Sequence, residues 1–384
     1  MLRLIVVLAI LSACRAPRPP VGPGAAGSQT GELPVQPGAP HITWIRVDSP
    51  SDVPATPPPA GTFRIHLIDV GTGLAILVQG SDFNLLYDAG TNDKTEKPAR
   101  VIAYLARAIG ASGDDLCGPG GSVSDNKTID DVVLSHPHFD HASALDLVVH
   151  CYTVKDIYDS GRVNDAVFYR AFLEAVSRSP ATYHTAADVP SDHTVGVKGT
   201  EIRIPNWQRF SEGDAVRLGE AAKFTILHAE GKKLPDPNQN SVVIAVELGA
   251  ARLLLVGDAE SGSREDPSAI AGDVEEFLIE NHPREIRADI LQVGHHGSKT
   301  SSRHAFLDAV HPSLALVSSG PKVYGHTVLP DHEVIEELRR DGATVLRTDE
   351  RDGACPVKQR IGPAEGPGGC DSYIITISPP QSAP

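Results

Sequence analysis

The chain has 384 residues, 41% of them hydrophobic and 22% charged, and its 34 basic against 49 acidic side chains give a net charge of −15. That balance excludes a disordered chain and a broad electrostatic grip on nucleic acid, which needs Lys and Arg to neutralise phosphates, although a locally basic groove stays open. No apolar run reaches the ~20 residues of a membrane-spanning helix, and the length suits one large domain or two at roughly 100–200 residues each.

At the start, Arg3 precedes an apolar stretch over residues 4–11, which is too short to span a bilayer but suits secretion. It ends in Leu11-Ser12-Ala13-Cys14, which resembles the bacterial lipobox, where cleavage before the cysteine leaves its thiol to carry lipid. Residues 1–13 are therefore expected to be a lipoprotein signal peptide. Cys14 is expected to anchor an exported chain to membrane lipid, on the periplasmic or extracellular side of a bacterial cell. An ordinary signal peptide with a chance cysteine is the alternative. Residues 14–61 are expected to form the lipid-anchored tether, rich in Pro and Gly, with one short apolar segment at 42–47. The folded domain is expected over 62–384. Besides Cys14, the cysteines are Cys117, Cys151, Cys355 and Cys370. An even number in an exported chain predicts disulfides, and proximity pairs Cys117–Cys151 and Cys355–Cys370. Zinc-binding cysteines are the competing reading, but no C-x-x-C spacing occurs.

The body alternates strand-like and helix-like segments. Residues 63–70, 74–78 and 83–87 read as a strand meander with glycine turns. Residues 97–109 have apolar positions at helical spacing. A buried-type strand at 131–135 is followed by helices at 142–149 and 163–177. Strands follow at 224–227, 241–248 and 253–256. Then come a helix at 274–280, a strand at 290–293, a helix at 304–310, a strand at 314–318 and a helix at 331–341. Strands at 345–348 and 373–377 close the domain. Strand runs followed by helices, in two halves, predict an α/β chain with two sheets between helical layers.

The chemistry is concentrated in Ser135-His136-Pro137-His138-Phe139-Asp140-His141, an H-x-H-x-D-H string between a strand and a helix. Residues two apart in extended chain face one side, so His136 and His138 can converge on one cation. Asp140 and His141 lie where the chain turns into the helix and can face a second. A mixed imidazole and carboxylate set suits zinc, manganese or iron.

This string resembles the signature of the metallo-β-lactamase superfamily, which implies a four-layer αββα sandwich with metals at the sheet edges. Asp69-Val70-Gly71-Thr72-Gly73, Asp88-Ala89-Gly90, Asn238-Gln239-Asn240-Ser241 and Val256-Gly257-Asp258 narrow the resemblance to the hydrolase domain of ComEC-type competence proteins. Gly294-His295-His296-Gly297-Ser298-Lys299-Thr300-Ser301 and Tyr324-Gly325-His326 extend it. The transmembrane channel of that family is not among these residues, so DNA import is not implied. The resemblance implies two divalent metal ions, zinc first and manganese or iron as alternatives. They would be held by His136, His138, Asp140, His141 and Asp258, with one of His295 and His296 completing the second site. His295 is taken as that ligand, and His296 is placed with Asp140 and Asp258 at the catalytic centre. Asp88 is expected to orient a ligand histidine, and Asp69 to cap the Gly71–Gly73 turn or support the site. Asn240 or His228 could support the first metal, because the family's usual third histidine is missing. His193 imitates it too early in the chain. Lys299, with Ser298, Ser301 and Arg303, could meet an anionic substrate, and Tyr324 and His326 could line the pocket mouth.

The reaction expected is metal-dependent hydrolysis of a phosphoester or phosphodiester by a metal-bridging hydroxide. A small or single-stranded substrate fits the acidic balance better than long duplex DNA. Hydrolysis of a lactone, thioester or β-lactam carbonyl is the alternative, as is a surface binding protein with a vestigial metal site. No feature calls for an obligate protein partner.

Overall fold

The apolar runs form strands whose alternate side chains enter two different cores. A computed structural model describes residues 29–34, 38–91, 96–118, 127–364, 366 and 368–380. The expected signal peptide and the lipidation site Cys14 lie outside these residues.

The first half contributes β1 (Thr30–Glu32), β2 (His41–Arg46), β3 (Phe63–Leu67), β4 (Ile76–Gln79) and β5 (Asn84–Tyr87), then α1 (Arg100–Ala108) and β6 (Thr128–Leu134). After it come α2 (Phe139–Ala142), α3 (Leu145–Cys151), β7 (Thr153–Asp159), α4 (Val167–Arg178) and β8 (Thr182–Thr185). A separate hairpin, β9 (Thr194–Val197) and β10 (Thr200–Arg203), precedes β11 (Trp207–Arg209). The second half runs β12 (Ala215–Leu218), β13 (Ala222–His228), β14 (Val243–Leu248), β15 (Ala251–Leu255), α5 (Asp273–Asn281), β16 (Ile290–Gln292), α6 (His304–Val310) and β17 (Leu314–Val317). It ends with a small hairpin, β18 (Val323–Tyr324) and β19 (Thr327–Val328), then α7 (His332–Arg340), β20 (Thr344–Arg347) and β21 (Tyr373–Ser378). One sheet has ten strands in the order β1-β2-β21-β3-β4-β5-β6-β7-β8-β11, and the other has seven, β12-β13-β14-β15-β16-β17-β20. Each is antiparallel on one side and parallel on the other, the change falling at β5–β6 and at β15–β16.

The period-2 alternation builds the layers. Ile65, Leu67, Leu85 and Tyr87 of the first sheet meet Ile244, Val246, Leu253 and Leu255 of the second in one shared core. Leu77 and Leu86 point the other way, onto Val101, Ile102 and Leu105 of α1 and the α3–α4 layer. Val243, Ala245 and Leu254 likewise face Val274 and Leu278 of α5, and residues of α6 and α7. Strands buried on both faces read as nearly continuous apolar runs. The result is the expected αββα sandwich.

Four expectations change. The segment at 42–47 belongs to the sheet and not to a tether: β2 pairs with β21 along its whole length, from His41↔Ser378 to Arg46↔Tyr373. Residues after it are also fixed, with Ser49 and Asp52 forming a capping box and Val47 and Val53 buried. The helix expected at 142–149 is broken into α2 and α3. Between residues 150 and 222 the sequence reading gave only one helix, yet β7 to β12 all lie there. Both disulfides, Cys117–Cys151 and Cys355–Cys370, are paired as proximity suggested. Among the described residues, no helix is long and apolar enough to cross a membrane.

Candidate metal centre

The H-x-H-x-D-H string leaves the C-terminal end of β6, Asp88 follows β5, Asp258 follows β15, and the His295-His296 pair follows β16. These are the strand ends where open α/β sheets place their ligands. Two glycines allow the loops to meet. A Cβ on Gly90 would lie 1.6 Å from the Asp140 carbonyl oxygen. Gly257 has φ +58°, and a Cβ there would come within 2.5 Å of Ser135 Cβ.

Asp258 is the centre of the cluster. Its Oδ2 lies 3.2 Å from His141 Nε2, 3.7 Å from His296 Nε2, 3.8 Å from His295 Nε2 and 3.9 Å from His136 Nε2. His138 joins through its Nδ1, 2.9 Å from His136 Nε2. Asp140 Oδ2 is 3.9 Å from His296 Nε2 and accepts from the Tyr324 hydroxyl at 2.8 Å. Lys322 approaches the same oxygen at 3.8 Å and lies over the Tyr324 ring, 4.4 Å from its centroid.

Buried partners aim the imidazoles. Asp88 Oδ2 is 2.7 Å from His141 Nδ1, while the Ser135 amide and hydroxyl both donate to Asp88 at 2.7 Å. His296 Nδ1 donates to the Ser318 carbonyl at 2.8 Å. His295 Nδ1 is 2.7 Å from Glu260 Oε1 and 2.8 Å from Thr300 Oγ1. Such partners fix ring orientation and leave the opposite nitrogen for a ligand. His295 and His296 both hold left-handed backbone, φ +45° and +54°, which non-glycine residues adopt at a cost. The Ser301 hydroxyl bonded to the Gly294 carbonyl at 2.7 Å, and the His295 amide bonded to the Gly257 carbonyl, keep that turn in place.

The electrostatics are those of a cation site. Burial disfavours a charged imidazole, but the Asp258 and Asp88 carboxylates outweigh it and hold His141 well above the usual histidine range. Burial would raise Asp258, yet His141, His296 and His295 hold it well below the usual carboxylate range. Burial, with His141 beside it, holds His136 well below the ordinary value. A divalent cation would take over the proton's task here, so its binding is coupled to proton release. The residues fit such an ion. His136, His141 and Asp258 each bring a ligand atom within 4.8 Å of the others. His296 Nε2 and Asp258 Oδ1 are buried without a hydrogen-bond partner.

Several assignments change with this geometry. Both members of the histidine pair turn Nε2 towards Asp258, His295 at 3.8 Å and His296 at 3.7 Å, and His296 Nε2 also lies 3.9 Å from Asp140. Asp69 caps the Gly71 amide at 3.0 Å, and its other oxygen accepts from the amides of Gly369, Cys370 and Asp371, so it fastens the C-terminal loop and does not touch the cluster. Asn240 donates to the carbonyls of Glu230 and Lys232, and His228 Nδ1 donates to the Ser241 carbonyl. Lys299 reaches Glu333 at 2.9 Å, away from the cluster, and Arg303 is buried against the carbonyls of Ser263 and Asp266. Ser298 accepts from Arg264. Tyr324 does reach the site, while His326 is exposed on the β18–β19 turn. His193 is half-buried and bonded to the Pro205 carbonyl. Sequence reading missed Glu260 and Lys322, which sit two residues after Asp258 and two before Tyr324.

This stretch of chain has known relatives. The family model described as metallo-beta-lactamase superfamily matches residues 68–320, a span that holds the whole His/Asp cluster. Recombination protein 2 of Haemophilus influenzae is 26% identical over 289 residues, 75% of this chain and 28% of that protein. Competence protein ComA of Neisseria gonorrhoeae is 26% identical over 292 residues, 76% of this chain and 32% of that protein. The chain thus spans about a third or less of the curated relatives it matches. Among solved structures, the metallo-beta-lactamase fold protein YhfI of Bacillus subtilis aligns at a TM-score of 0.40 with 13% identity, covering 74% of this chain and 95% of that one.

Proposed function

The chain belongs to the metallo-β-lactamase superfamily, and from that premise we propose that it is an exported, metal-dependent phosphodiesterase anchored to membrane lipid through Cys14. The observation that carries the hydrolase reading is the buried cluster itself, in which two ligand atoms, His296 Nε2 and Asp258 Oδ1, are shut away from solvent with no hydrogen-bond partner. Leaving such groups bare costs about 1–3 kcal/mol each, more for charged groups, unless something else satisfies them. In this reading His136 and His138 hold one divalent cation, Asp140, His141 and His296 hold a second, and Asp258 serves both; zinc is the first choice, with manganese or iron as alternatives. When bound, the pair supplies a Lewis acid for the ester oxygen and lowers the pKa of water.

The chain's own residues do the rest. Burial would raise Asp140, but His141, His296 and Lys322 bring its carboxyl down to about 2, so it stays an acceptor across the working range. Tyr324 donates its hydroxyl proton to that acceptor, and Lys322 beside it presents an ammonium to an incoming anion. That cation supports a phosphodiester, as do the recombination and competence names of the relatives. A small or single-stranded phosphoester fits the net charge of −15 better than long duplex DNA.

Metal content and turnover of bis-p-nitrophenyl phosphate, with nitrocefin opening alongside, test the reading. His138→Ala and Asp258→Ala are each expected to cut phosphodiester turnover by roughly 100-fold or more with the fold intact, and Asp88→Asn to weaken metal binding about 10–100-fold. Wild-type rates in either alanine variant would reject the assigned roles. Nitrocefin opening without phosphodiester turnover would move the substrate to a carbonyl.

A further inference from the structure

Beside the metal cluster lies a cavity of about 690 Å³ that the hydrolase reading does not use. Its inner wall carries His228, Glu230, Glu260 and Phe277, and its rim carries Glu212, Asp236 and Asp273. No lysine or arginine lines it. Among the described residues none of its five carboxylates is paired with one; Glu260 is paired with His295. Arg162, on the neighbouring loop, donates to the Leu234 carbonyl at 3.0 Å.

A further observation points to a donor as the occupant of the cavity. His228 is 8% exposed, and its Nδ1 donates to the Ser241 carbonyl, which fixes the tautomer and leaves the Nε2 lone pair as the ring's remaining polar atom on the cavity wall. Burial holds this histidine below its ordinary pKa, so the ring is neutral. Gln239 on the same wall commits its amide to Asp273 at 3.0 Å. The five carboxylates and the His228 lone pair are thus the acceptors of the cavity. Its apolar part is Leu234, Pro235, Val274 and the Phe277 ring, enough to cover an aliphatic stem and to offer a π face to a cation. The His228, Glu230 and Asp236 donors do not gather closely enough to form a metal-ion grouping among the described residues.

We propose that this cavity is a binding subsite for an alkylammonium group. The group places its N–H donors against Glu230, Glu260 and the His228 lone pair and its methylenes against Phe277 and Val274. Through Glu260, whose Oε1 also holds His295 at 2.7 Å, the bound ammonium sits one side chain away from the metal centre. The binding claim stands apart from the phosphodiesterase reading, because it needs no turnover.

Calorimetric titration of the full-length protein with n-hexylammonium, n-hexanol and n-hexanoate tests it. Hexylammonium is expected to bind at least 10-fold more tightly than the other two, and the isosteric double variant Glu230→Gln/Asp236→Asn to remove that preference. Phe277→Ala is expected to abolish the advantage of hexylammonium over methylammonium while leaving methylammonium binding in place. Equal binding of the three hexyl probes, full affinity in the double variant, or calcium displacing hexylammonium with equal affinity would each overturn the proposal. In protein that turns over the phosphodiester reporter, a raised KM on adding hexylammonium marks the group as the substrate's, and a lowered kcat at constant KM marks it as a separate ligand's; both support the subsite.

Discussion

Asp131 lies in β6 with 5% of its surface exposed, and burial, followed by the neighbouring Asp156 and Asp130, pushes its carboxyl up to about 8. A folded-state value above the unfolded one of ~3.9 means that the native chain holds this proton more tightly between the two. Stability therefore falls as pH rises from about 4 to about 8, and the loss is complete above that range. Asp131→Asn removes the ionisation, and is expected to raise the Tm by about 2 °C or more near pH 8 while changing little near pH 4. Scanning calorimetry at both values checks this, and a variant that tracks the wild type at both would show the carboxyl to be unperturbed. At the same scale, the candidate metal donors His136, His138, Asp140, His141 and Asp258 were legible because their string and their Gly-Asp turn are local in sequence. What spacing could not supply was direction. Lys299 follows the histidine pair, yet its side chain crosses to Glu333 on α7, and Asp69 turns to amides some 300 positions away. The choice between His295 and His296 likewise depends on two consecutive left-handed residues, a backbone state that no residue pattern announces.

Between elements, the Cys117–Cys151 bond ties the segment after α1 to the end of α3 across 34 residues of chain. Closing a loop of that length restricts the unfolded chain by about 4 kcal/mol on the chain-entropy account. Both cysteines are buried, so the bond also lies within packed apolar surroundings. Cys117→Ala/Cys151→Ala is expected to lose about 3–4 kcal/mol in urea unfolding, and reduction of the wild type to lose a similar amount. An unchanged midpoint in both would mean that the helical layer is held by packing alone. Elements of the two central cores were readable because strands buried on both faces are long apolar runs. The stretch from β7 to β12 was not, since its strands are mostly three or four residues long and too short to show a clear alternation, as in Thr182–Thr185 and Ala215–Leu218. The expected helix over 142–149 ran through a real break at Ser143 and Ala144, where Ser143 turns its hydroxyl to the Thr91 carbonyl and Ala144 bonds back to Ala89.

Across the whole molecule, the two sheets each change from antiparallel to parallel, and the candidate centre gathers at the carboxyl ends of β5 and β6 in one sheet and of β15 and β16 in the other. The far side of the ten-stranded sheet depends on β2, whose partner β21 is the last strand in the chain. Ile42 of β2 is 3% exposed within the shared core, and Trp44 packs against it. A composition-based boundary at residue 62 cuts this strand away, because prolines at 54–59 look like a linker although the chain there runs along the fold. Removing it turns β21 into a bare edge carrying Ile375 and Ile377, with unpaired amides open to association. A chain starting at residue 62 is therefore expected to melt several degrees lower and to aggregate more than one starting at residue 29, as light scattering and thermal melts would record. Metal content is expected to survive, since no cluster residue lies on β1, β2 or β21. Equal melting temperatures for the two chains would return the segment at 42–47 to the tether.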